Sequence, residues 1–442
     1  MYGHISFAKG VNPKIRAMGK LVFVNRYFYP DHAATSQLLT DLAFDLAEGG
    51  TVDVRVIASR QRYEDPLACL VPYEQIRGVK VRRVWTTSFG RGTLAGRAVD
   101  YLSFYVSAFY RMWCELRRGD VLIAKTDPPL ISVFAAIVAK LRGATLVNWV
   151  QDLFPEVAQQ LGVKAISNTA SSIFKNLRNR TARAAHCNVV LGELMAERLM
   201  NEGVPHSRIK LIHNWVDDSV VPVIHDENSL RREWGLNEKF VVGYSGNLGR
   251  AHDFETILYA LELMNHRDDI VFLFIGAGAG MNKLKLKVDE KRFGNVIFKP
   301  YQPRECLSES LSVADIHLIS LLPQLEGLIV PSKFYGTLAV GRPVVYIGSV
   351  DGEIPMIIKR EHCGFAVGIG DGCGLAEILM DLSANRELAE HMGYNSMQLF
   401  RRCYRKSLAL NEWRAVLGEV ESSINRCKSD RDLISETRPA AR

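Results

Sequence analysis

The chain has 442 residues, of which 48% are hydrophobic and 23% are charged. This composition is typical of a globular protein rather than a disordered one, and the length favours two domains over one. Lys and Arg number 55 while Asp and Glu number 48, which gives a formal net charge of +7. Such a modest excess suits phospholipid, nucleotide phosphate and nucleic acid equally, so charge alone does not choose among these partners.

Eight Cys residues are scattered along the chain without a Cys-x-x-Cys pair. This spacing favours free thiols in a reducing compartment over disulfides or a zinc site, and it predicts a cytoplasmic protein. The longest apolar run, residues 128–139, is shorter than the roughly 20 residues that a membrane-spanning helix needs. We expect flexible extensions over residues 1–18, which lack a hydrophobic period, and over residues 429–442, which are short and charged.

Short β-rich runs alternate with helical patterns from Lys20 onward. Helical patterns occupy residues 33–48, 95–117, the segment ending at 141, and 193–202, and the predicted strands between them are LVFVNRYF, VDVRVIAS, VKVRRVW, VLIAK, TLVNWV, CNVVLG and RIKLIHNWVD. This alternation is typical of a doubly wound parallel sheet, so residues 19–222 are predicted to form a Rossmann-like domain. The polar segment VVPVIHDENS, which contains Pro222, is predicted to be a linker.

A second alternation begins at Lys239. Its predicted strands, each separated by one helix-length segment, are FVVGYSG, VFLFIGAG, NVIFKPY, DIHLISL, PVVYIG and GFAVGIG. Residues 223–400 are therefore predicted to form a second Rossmann-like domain. The fold class is α/β, with two parallel sheets whose carboxyl edges face a central cleft where ligands bind. Trp413, Leu417 and Val420 have helical spacing, and we expect residues 401–428 to form a helix that returns to the first domain.

The turn after the strand FVVGYSG is the first candidate binding site. It reads Gly-Asn-Leu-Gly-Arg over residues 246–250 and leads into a helix that starts near Asp253. Glycines let backbone N–H groups approach an anion, the helix N-terminus favours negative charge, and Arg250 can add a bidentate contact to phosphate. Many glycine-rich turns only permit tight packing, so this turn by itself is weak evidence.

A second candidate is the segment Val-Pro-Ser-Lys over residues 330–333. The Pro-Ser pair predicts a helix N-cap and first turn, in which Ser332 and backbone amides face a bound phosphate while Lys333 supplies a positive charge. The alternative is a solvated lysine beside an ordinary cap. Two phosphate-binding devices in one domain fit a diphosphate.

Ten segments between about Lys20 and about Val420 share a pattern with one enzyme family: YPDHAATSQLLTDLA, DYLSF, DPPL, WVQDLFPE, IHNWVD, YSGNLGRAHDFETIL, IGAGAG, VPSKFYGTLAVGRPVVYIG, DGEI and CGFAVGIGD. In combination they resemble the retaining glycosyltransferases of family 4. The nearest subgroup looks like the bacterial enzymes proposed to transfer N-acetylfucosamine-type or related sugars in exopolysaccharide and O-antigen assembly.

The resemblance implies a GT-B fold, with a nucleotide-sugar donor bound by the C-terminal domain and an acceptor by the N-terminal one. It also implies retention of the anomeric configuration without a metal or other cofactor. Carried over to this sequence, it places Gly246, Asn247 and Arg250 near the donor diphosphate, with Ser332 and Lys333 in contact with it. Arg250 and Lys333 would neutralise the leaving nucleoside diphosphate, on which charge develops as the glycosidic bond breaks.

One departure concerns a pair of Glu residues that many family members carry eight positions apart, the second of which binds the donor ribose. Leu328 and Gly336 occupy those two positions in this chain. Glu326 lies two residues before the first position, and we expect it either to contact the donor sugar or to be a loop carboxylate in water. Ribose recognition therefore has no assigned residue.

Asp152 is the candidate catalytic residue of the first domain and also a candidate acceptor-binding residue. It follows the strand TLVNWV at the carboxyl edge, where a partly desolvated carboxylate could accept the proton of the acceptor hydroxyl or orient that hydroxyl. The alternative is a cap on the helix that begins near Pro155. Tyr29 and His32, in the loop after the first strand, are further predicted acceptor-binding residues, although a His in such a loop is more often simply polar.

The stretch 97–118 has the length of a helix, is rich in aromatic residues and ends in Arg117 and Arg118. This combination suits a helix that dips into lipid headgroups, where a polyprenyl-diphosphate-linked saccharide would present its sugar. Packing in the protein core is the alternative, and different faces of the helix could do both. We therefore expect a peripheral protein on the inner face of the plasma membrane.

Three functions are compatible with these patterns: glycosyl transfer to a lipid-linked saccharide, epimerisation of a nucleotide sugar on the same architecture, and nucleotide binding by an inactive partner subunit. Glycosyl transfer is the leading hypothesis, and the missing Glu pair lends some support to the inactive subunit. Metal binding at residues 430–432, zinc binding near Cys187 or Cys363, and dinucleotide binding at 276–280 are disfavoured by position or spacing. Nucleic-acid binding is not expected, because Lys and Arg are dispersed and no recognition motif is present.

Overall fold

The computed structural model describes residues 19–63, 65, 67–90, 93–163 and 167–436. The predicted extension 1–18 lies outside the described residues. Within them the chain forms two parallel-sheet α/β domains, which confirms the predicted fold class.

The N-terminal domain is built on an eight-stranded sheet with strand order β3-β4-β2-β1-β5-β6-β7-β8. Its strands are β1 Leu21–Val24, β2 Val54–Ser59, β3 Tyr73–Ile76, β4 Val79–Val84, β5 Val121–Lys125, β6 Thr145–Trp149, β7 Cys187–Val190 and β8 Ile209–Leu211. Its helices are α1 Ala34–Glu48, α2 Leu94–Glu115, α3 Ile131–Arg142, α4 Glu156–Gln160, α5 Asn168–Ala184 and α6 Glu193–Asn201.

Strand β3 is an addition that the sequence pattern does not predict. It pairs antiparallel with β4 at the edge of the sheet, and the hairpin turns through Arg77 and Gly78, which both have positive φ. Its side chains alternate between exposed and half-buried. An edge strand of this kind lacks the continuous apolar run that marks the buried parallel strands.

The C-terminal domain is built on a six-stranded, all-parallel sheet with strand order β11-β10-β9-β12-β13-β14. Its strands are β9 Phe240–Ser245, β10 Ile270–Ile275, β11 Val296–Lys299, β12 Ile316–Ser320, β13 Val344–Ile347 and β14 Gly364–Val367. The helices are α7 Ser229–Glu233, α8 Glu255–Leu263, α9 Ala279–Lys291, α10 Leu307–Ser312, α11 Lys333–Ala339, α12 Glu353–Glu361, α13 Gly372–Ala384, α14 Arg386–Cys403 and α15 Lys406–Glu436.

The last helix, α15, packs against the N-terminal domain. Trp413 is fully buried there, with its ring 4.7 Å from that of Trp149, and Lys406 donates to the Asp41 carboxylate at 3.0 Å. The helix continues to Glu436, so residues 429–436 of the predicted flexible tail are helical, and residues 437–442 lie outside the described residues. No Gly or Pro interrupts the sequence between Gly418 and Pro439, so nothing in it stops the helix earlier.

The carboxyl edges of the two sheets face each other across a cleft. The backbone N–H of Leu153, beyond the end of β6, donates to the carbonyl of Leu328 in the other domain at 3.0 Å. The Arg198 guanidinium on α6 likewise donates to the carbonyl of Glu326 at 2.6 Å. Loops that follow strands of both sheets therefore meet, as expected for two sheets that share a ligand site.

A carboxylate joins the domains at a second point. Glu353, at the start of α12, accepts hydrogen bonds from the backbone N–H groups of Glu193 at 2.9 Å and Leu194 at 3.3 Å, at the start of α6. Burial raises the pKa of the Glu353 carboxyl to about 7. A carboxylate at a helix N-terminus also compensates the helix dipole.

Among the residues that the structure describes, no helix combines the length and the apolarity that crossing a bilayer requires.

Candidate active site in the interdomain cleft

The turn after β9 packs against the turn after β10. Gly246, Gly276 and Gly278 have φ values of 115°, 131° and 133°. A Cβ on Gly276 would lie 2.4 Å from the backbone oxygen of Gly246, and one on Gly278 would lie 2.4 Å from that of Leu248. Only glycine satisfies both the backbone conformation and the space. The alternating glycines at 276–280 thus support the predicted phosphate-binding turn by close packing.

Lys333 reaches from the start of α11 into this pair of turns. Its Nζ donates to the backbone oxygen of Asn247 at 2.8 Å and lies 4.9 Å from the centroid of the Tyr244 ring. Desolvation lowers the pKa of Lys333 to about 8. The ammonium is therefore still charged at neutral pH but poorly hydrated, which favours pairing with an anion. The structure brings the two segments predicted to bind phosphate into direct contact.

His252 is a site residue that the sequence reasoning missed. Its Nδ1 lies 2.5 Å from the carbonyl oxygen of Ser320, and its Nε2 lies 3.4 Å from Lys333 Nζ. Burial and the neighbouring Lys333 lower the pKa of His252 to about 4, so the ring is neutral. A carbonyl can only accept, so Nδ1 carries the proton and Nε2 presents its lone pair to the lysine. His252 therefore orients Lys333; its only signal in the sequence is its position two residues after Arg250.

Arg250 and Asn247 lie exposed on the same turn, and Ser332 lies exposed just before α11. Within the described ranges, no hydrogen bond or ion pair holds the Arg250 side chain, which leaves the guanidinium able to pair with a ligand. Ser332 occupies the predicted N-cap position of α11, but its φ and ψ of −64° and −20° are already helical and its side chain makes no capping hydrogen bond. Any contact of Ser332 with phosphate would come from an uncommitted hydroxyl.

Glu326 is not a loop carboxylate in water. Tyr346 donates its phenolic hydrogen to one carboxylate oxygen, and the backbone N–H of Glu353 donates to the other at 3.4 Å. Burial raises the pKa of Glu326. The carboxylate is thus tied to the start of α12, and its contact with a donor sugar stays a prediction.

The two positions of the absent Glu pair are both buried. Leu328 is 2% exposed, and its carbonyl makes the interdomain bond to Leu153. A Cβ on Gly336 would lie 3.2 Å from a methyl group of Leu311. Neither position supplies a polar group for a ribose, in agreement with the departure seen in the sequence.

Asp152 lies on the N-terminal side of the cleft, next to the interdomain bond of Leu153. Its side chain is reached by water, yet protein surrounds it, and this desolvation raises the pKa of its carboxyl to about 6, with a further rise from Asp127 and an opposing effect of Lys125. Helix α4 begins at Glu156 without a side-chain cap. Asp152 therefore does not cap that helix, and its carboxylate is open to the cleft.

Lys125, the last residue of β5, is a second residue that the sequence reasoning missed. It is 1% exposed, its Nζ donates to the carbonyl of Thr35 at 2.7 Å, and it lies 3.6 Å from the centroid of the Trp149 ring. Burial lowers its pKa well below the usual range, against the opposing effect of carboxylates that include Asp127 and Asp152. A lysine that ends the run VLIAK looks like an ordinary strand end, so the sequence carries little signal for it.

Tyr29 and His32, the predicted acceptor-binding residues, lie on the loop between β1 and α1. The Tyr29 ring is 43% exposed and packs 5.7 Å from the ring of Phe44, while its carbonyl accepts from Arg83 at 2.7 Å. His32 is exposed, and its carbonyl accepts from the Gln37 side chain. Tyr29 therefore faces α1 and β4, and the acceptor-binding role of both residues stays a prediction.

Within the part of the chain that the structure describes, no three His, Cys, Asp or Glu side chains are grouped so that they could hold a metal ion. The predicted metal independence is not tested by this finding.

Solved structures share this two-domain architecture. HepE of Anabaena in complex with UDP aligns with a TM-score of 0.67 at 15% identity, over 90% of this chain and 100% of that chain. WaaG, a glycosyltransferase involved in lipopolysaccharide biosynthesis, aligns with a TM-score of 0.63 at 13% identity, over 90% of this chain and 99% of that chain. At such identities the likeness shows the fold, which is GT-B.

The sequence matches two domain models in tandem. Residues 36–215 match the Glycosyl transferase 4-like domain, and residues 226–399 match Glycosyl transferases group 1. This chain is a GT-B glycosyltransferase. The boundary between the two matches falls in the predicted linker, and the turn at 246–250 and Lys333 both lie in the second matched domain of the glycosyltransferase.

Two curated proteins are similar to the glycosyltransferase over much of its length. It is 29% identical to Pseudomonas aeruginosa WbjE, which is named as a glycosyltransferase. The alignment spans 329 residues and covers 71% of this chain and 81% of WbjE. It is 26% identical to Escherichia coli WcaI, which is named as a glycosyl transferase of colanic acid biosynthesis. The alignment spans 266 residues and covers 58% of this chain and 64% of WcaI.

Proposed function

We propose that this glycosyltransferase moves a sugar, with retention and without a metal, from a nucleoside-diphosphate donor to a polyprenyl-diphosphate-linked saccharide. The observation that carries the proposal is the position of the Lys333 ammonium, held by Asn247 and His252 in a glycine-lined turn. A partly desolvated cation in contact with the turn that carries exposed Arg250 suits the leaving diphosphate, because negative charge grows there as the glycosidic bond breaks.

The residues of the cleft divide the reaction between them. The donor-side turn, Lys333 and Arg250 bind the diphosphate and stabilise the departing anion. Asp152, whose pKa of about 6 leaves it ionised at neutral pH, accepts a hydrogen bond from the acceptor hydroxyl and orients it toward the donor. The hydroxyl oxygen forms the new bond to the anomeric carbon on the face that the diphosphate leaves, and its proton passes to the departing phosphate oxygen.

Bacterial surface polysaccharide assembly is the proposed setting. Support comes from the names of WcaI, for colanic acid biosynthesis, and of WaaG, for lipopolysaccharide biosynthesis. The HepE complexes with UDP and with UDP-glucose support a nucleotide-sugar donor. None of these names supplies the N-acetylfucosamine-type sugar, so that subgroup stays a prediction.

Helix α2 supports a lipid-linked acceptor. Its inner face packs in the core through Phe104, Ala108 and Met112, whereas its outer face carries an exposed apolar stripe, defined as Val99, Leu102, Val106, Tyr110 and Trp113. The predicted core packing is present on the inner face, and contact of the apolar outer face with lipid headgroups is the proposal. With Arg117 and Arg118 just beyond its end, the stripe suits the inner face of an anionic membrane.

The test is a transfer assay with the full chain. A panel of nucleotide sugars is incubated with lipid-linked saccharides extracted from bacterial membranes, and both nucleoside diphosphate release and glycosylated lipid are measured, with EDTA present in a parallel series. We expect product in both series and an anomeric configuration equal to that of the donor. Lys333→Ala should abolish product, whereas Lys359→Ala, an exposed lysine on α12, should not.

Two outcomes would argue against the proposal. Sugar isomerisation without any lipid acceptor would indicate an epimerase. Nucleotide binding without turnover across the panel would indicate an inactive subunit, for which the missing Glu pair is the motivating feature.

A further inference from the structure

A cavity of about 130 Å³ lies in the N-terminal domain, at the carboxyl ends of β1, β2 and β5. Its walls include Arg26, Gln61, Arg97, Asp100, Tyr101 and Asp127. A buried water needs roughly 10–15 Å³ of such volume, so the cavity can hold a group the size of a phosphate or a sugar ring. The residues predicted from sequence to bind the acceptor are elsewhere, and the cavity has no assigned role.

Two guanidinium groups in these walls keep hydrogen-bond donors to spare. Arg26 is 5% exposed; its NH2 lies 3.3 Å from the Gln61 amide oxygen and 3.6 Å from the Asp100 carboxylate. The Nε atoms of both Arg26 and Arg97 are buried and have no hydrogen-bond partner among the described residues. Since these Nε atoms are sealed from solvent, a ligand in the cavity would meet the outer N–H groups of the two guanidiniums, which favour a partner that accepts hydrogen bonds.

The nearby Asp100 does not satisfy this demand. Its carboxylate accepts hydrogen bonds from the Thr87 hydroxyl at 2.7 Å and from the backbone N–H groups of Phe89 and Gly90, both at 3.0 Å. The Asp100 carboxylate is therefore already hydrogen-bonded to the loop 87–90, which it holds against α2, and Arg26 is its cationic partner. Arg97 has no ion pair in the described part of the chain.

Asp127 adds a second carboxylate to the lining of the cavity. Asp127 raises the pKa of Asp152 and stabilises the charged form of Lys125, so its negative charge acts on the candidate catalytic residue. The cavity wall therefore carries both guanidinium groups, Arg26 and Arg97, and carboxylates, Asp100 and Asp127. A ligand with a negative group at one end and a hydroxyl at the other matches this arrangement.

The same helix connects the cavity to the apolar stripe. Arg97, Asp100 and Tyr101 line the cavity from the first turns of α2, and the stripe starts at Val99 on its outer face. An acceptor that hangs from a membrane in contact with the stripe would bring its phosphate to the level of these first turns, since lipid-linked phosphates lie at the headgroup depth.

We propose that the cavity binds the phosphate by which the acceptor is attached to its lipid, with Arg26 and Arg97 as the phosphate ligands and the acceptor sugar extending toward Asp127 and Asp152. The proposal rests on the proposed function, because it assigns the acceptor of that reaction. Guanidinium groups suit this role, since their paired N–H donors match phosphate oxygens.

Binding of inorganic pyrophosphate to the full-length protein tests the cavity without any need for turnover. Titration calorimetry is done in a Lys333→Ala background, which removes the donor-side cation. Adding Arg97→Gln should weaken pyrophosphate binding at least tenfold, and Arg97→Lys should recover part of the loss. Arg232→Gln, an exposed arginine on α7, makes the same charge change elsewhere and should leave binding unchanged. Arg26 is spared because its burial beside Asp100 makes substitution a risk to folding.

Kinetics with the otherwise wild-type chain complete the test. One acceptor carries its saccharide on a short prenyl diphosphate, and the other carries the same saccharide on a neutral alkyl chain. Arg97→Gln should raise KM for the diphosphate acceptor at least tenfold, leave kcat within about twofold and leave KM for the neutral acceptor unchanged.

The inference would be overturned if the Lys333→Ala protein bound pyrophosphate equally well with and without the Arg97→Gln change. An equal loss with the neutral acceptor would also overturn it, since that result would assign the cavity to the sugar itself. A chain that transfers no sugar to any acceptor would refute the proposed function, while the pyrophosphate titration would still decide whether this cavity binds phosphate.

Discussion

The Nζ of Lys333 lies 2.8 Å from the backbone oxygen of Asn247, so the residue that begins α11 is fixed to the turn that follows β9. Residues 86 positions apart thereby form one cationic site. Tyr244 also donates to that carbonyl, at 3.2 Å, and His252 faces the same ammonium. The electrostatics of this group govern how the glycosyltransferase should respond to pH.

The donor kcat/KM should fall as the pH rises through about 8. Burial lowers the pKa of Lys333 to about 8, and only the protonated amine attracts the diphosphate, so the attraction is present below that pH and lost above it. Initial rates with limiting donor between pH 6 and 10 measure this. Lys333→Arg should flatten the alkaline limb, because an arginine stays charged throughout the range. A wild-type profile that is level to pH 9.5 would contradict the assignment.

Lys333 should also make folding stability depend on pH, but with stability increasing as the pH rises. Between about pH 8 and the ordinary lysine pKa of 10.5, the unfolded chain binds the proton more tightly than the folded one. The contribution of Lys333 to the free energy of unfolding therefore increases as the pH rises through this window. Urea unfolding of the wild type and of Lys333→Met at pH 7.5 and 10 measures this contribution. If the difference in the free energy of unfolding between the two proteins were equal at both pH values, the pKa of Lys333 would not be shifted.

Gly278→Ala should weaken donor binding and destabilise the C-terminal domain. The new Cβ would lie 2.4 Å from the Leu248 carbonyl oxygen on a backbone with a φ of 133°, and strain of this kind costs roughly 1–3 kcal/mol. Thermal unfolding and nucleoside-diphosphate binding measure the two effects. Gly368→Ala is the matched control, since a Cβ there meets nothing within 4 Å. If both variants behave alike, the turn does not depend on close glycine packing.

Glu353→Ala should loosen the contact between the domains. The change removes the acceptor of two backbone N–H groups at the start of α6, and an unmet buried donor costs about 1–3 kcal/mol. Small-angle scattering should show a larger radius of gyration. Glu193→Ala removes an exposed side chain from the same contact while keeping the N–H, and it should leave the radius unchanged. An unaltered radius for Glu353→Ala would show that other contacts hold the cleft.

Replacing Leu102 and Val106 together with Glu should abolish binding to anionic vesicles. These side chains are 61% and 72% exposed, so the change should cost little folding stability, while two carboxylates would repel the lipid surface. Co-sedimentation with vesicles of phosphatidylglycerol and phosphatidylethanolamine measures it. Leu286→Glu, at a 62% exposed leucine on α9, serves as the control. Retention of vesicle binding by the double variant would exclude the stripe as the membrane contact.

The order of strands and helices was readable from the sequence because most strands of both sheets are buried on both faces. Runs such as VLIA and VFLFIGAG are continuously apolar for that reason, and their spacing gives the fold class. Strand β3 escaped prediction, since an edge hairpin turned by Arg77 and Gly78 has no apolar run. The length of α15 also escaped, because charged residues beyond 428 do not by themselves end a helix.

The sequence predicted some residues of the candidate site and missed others. Glycines, Arg250 and Lys333 carry residue-type signals for phosphate, so local pattern was enough to single them out. His252, Lys125 and the Arg26–Arg97 cavity carry no such signal. Their roles come from neighbours that are distant in sequence, such as the Ser320 carbonyl for His252 and the Thr35 carbonyl for Lys125.

The sequence by itself determined the two parallel-sheet domains, because hydrophobic periodicity is a local property that follows from burial of each strand. Tertiary structure alone decided which charges are desolvated, that Glu326 binds Tyr346, and that the Ser332 side chain makes no capping hydrogen bond. Desolvation and hydrogen-bond partnership depend on groups that folding brings together from distant parts of the chain, and the spacing of residues along the sequence does not specify which groups meet.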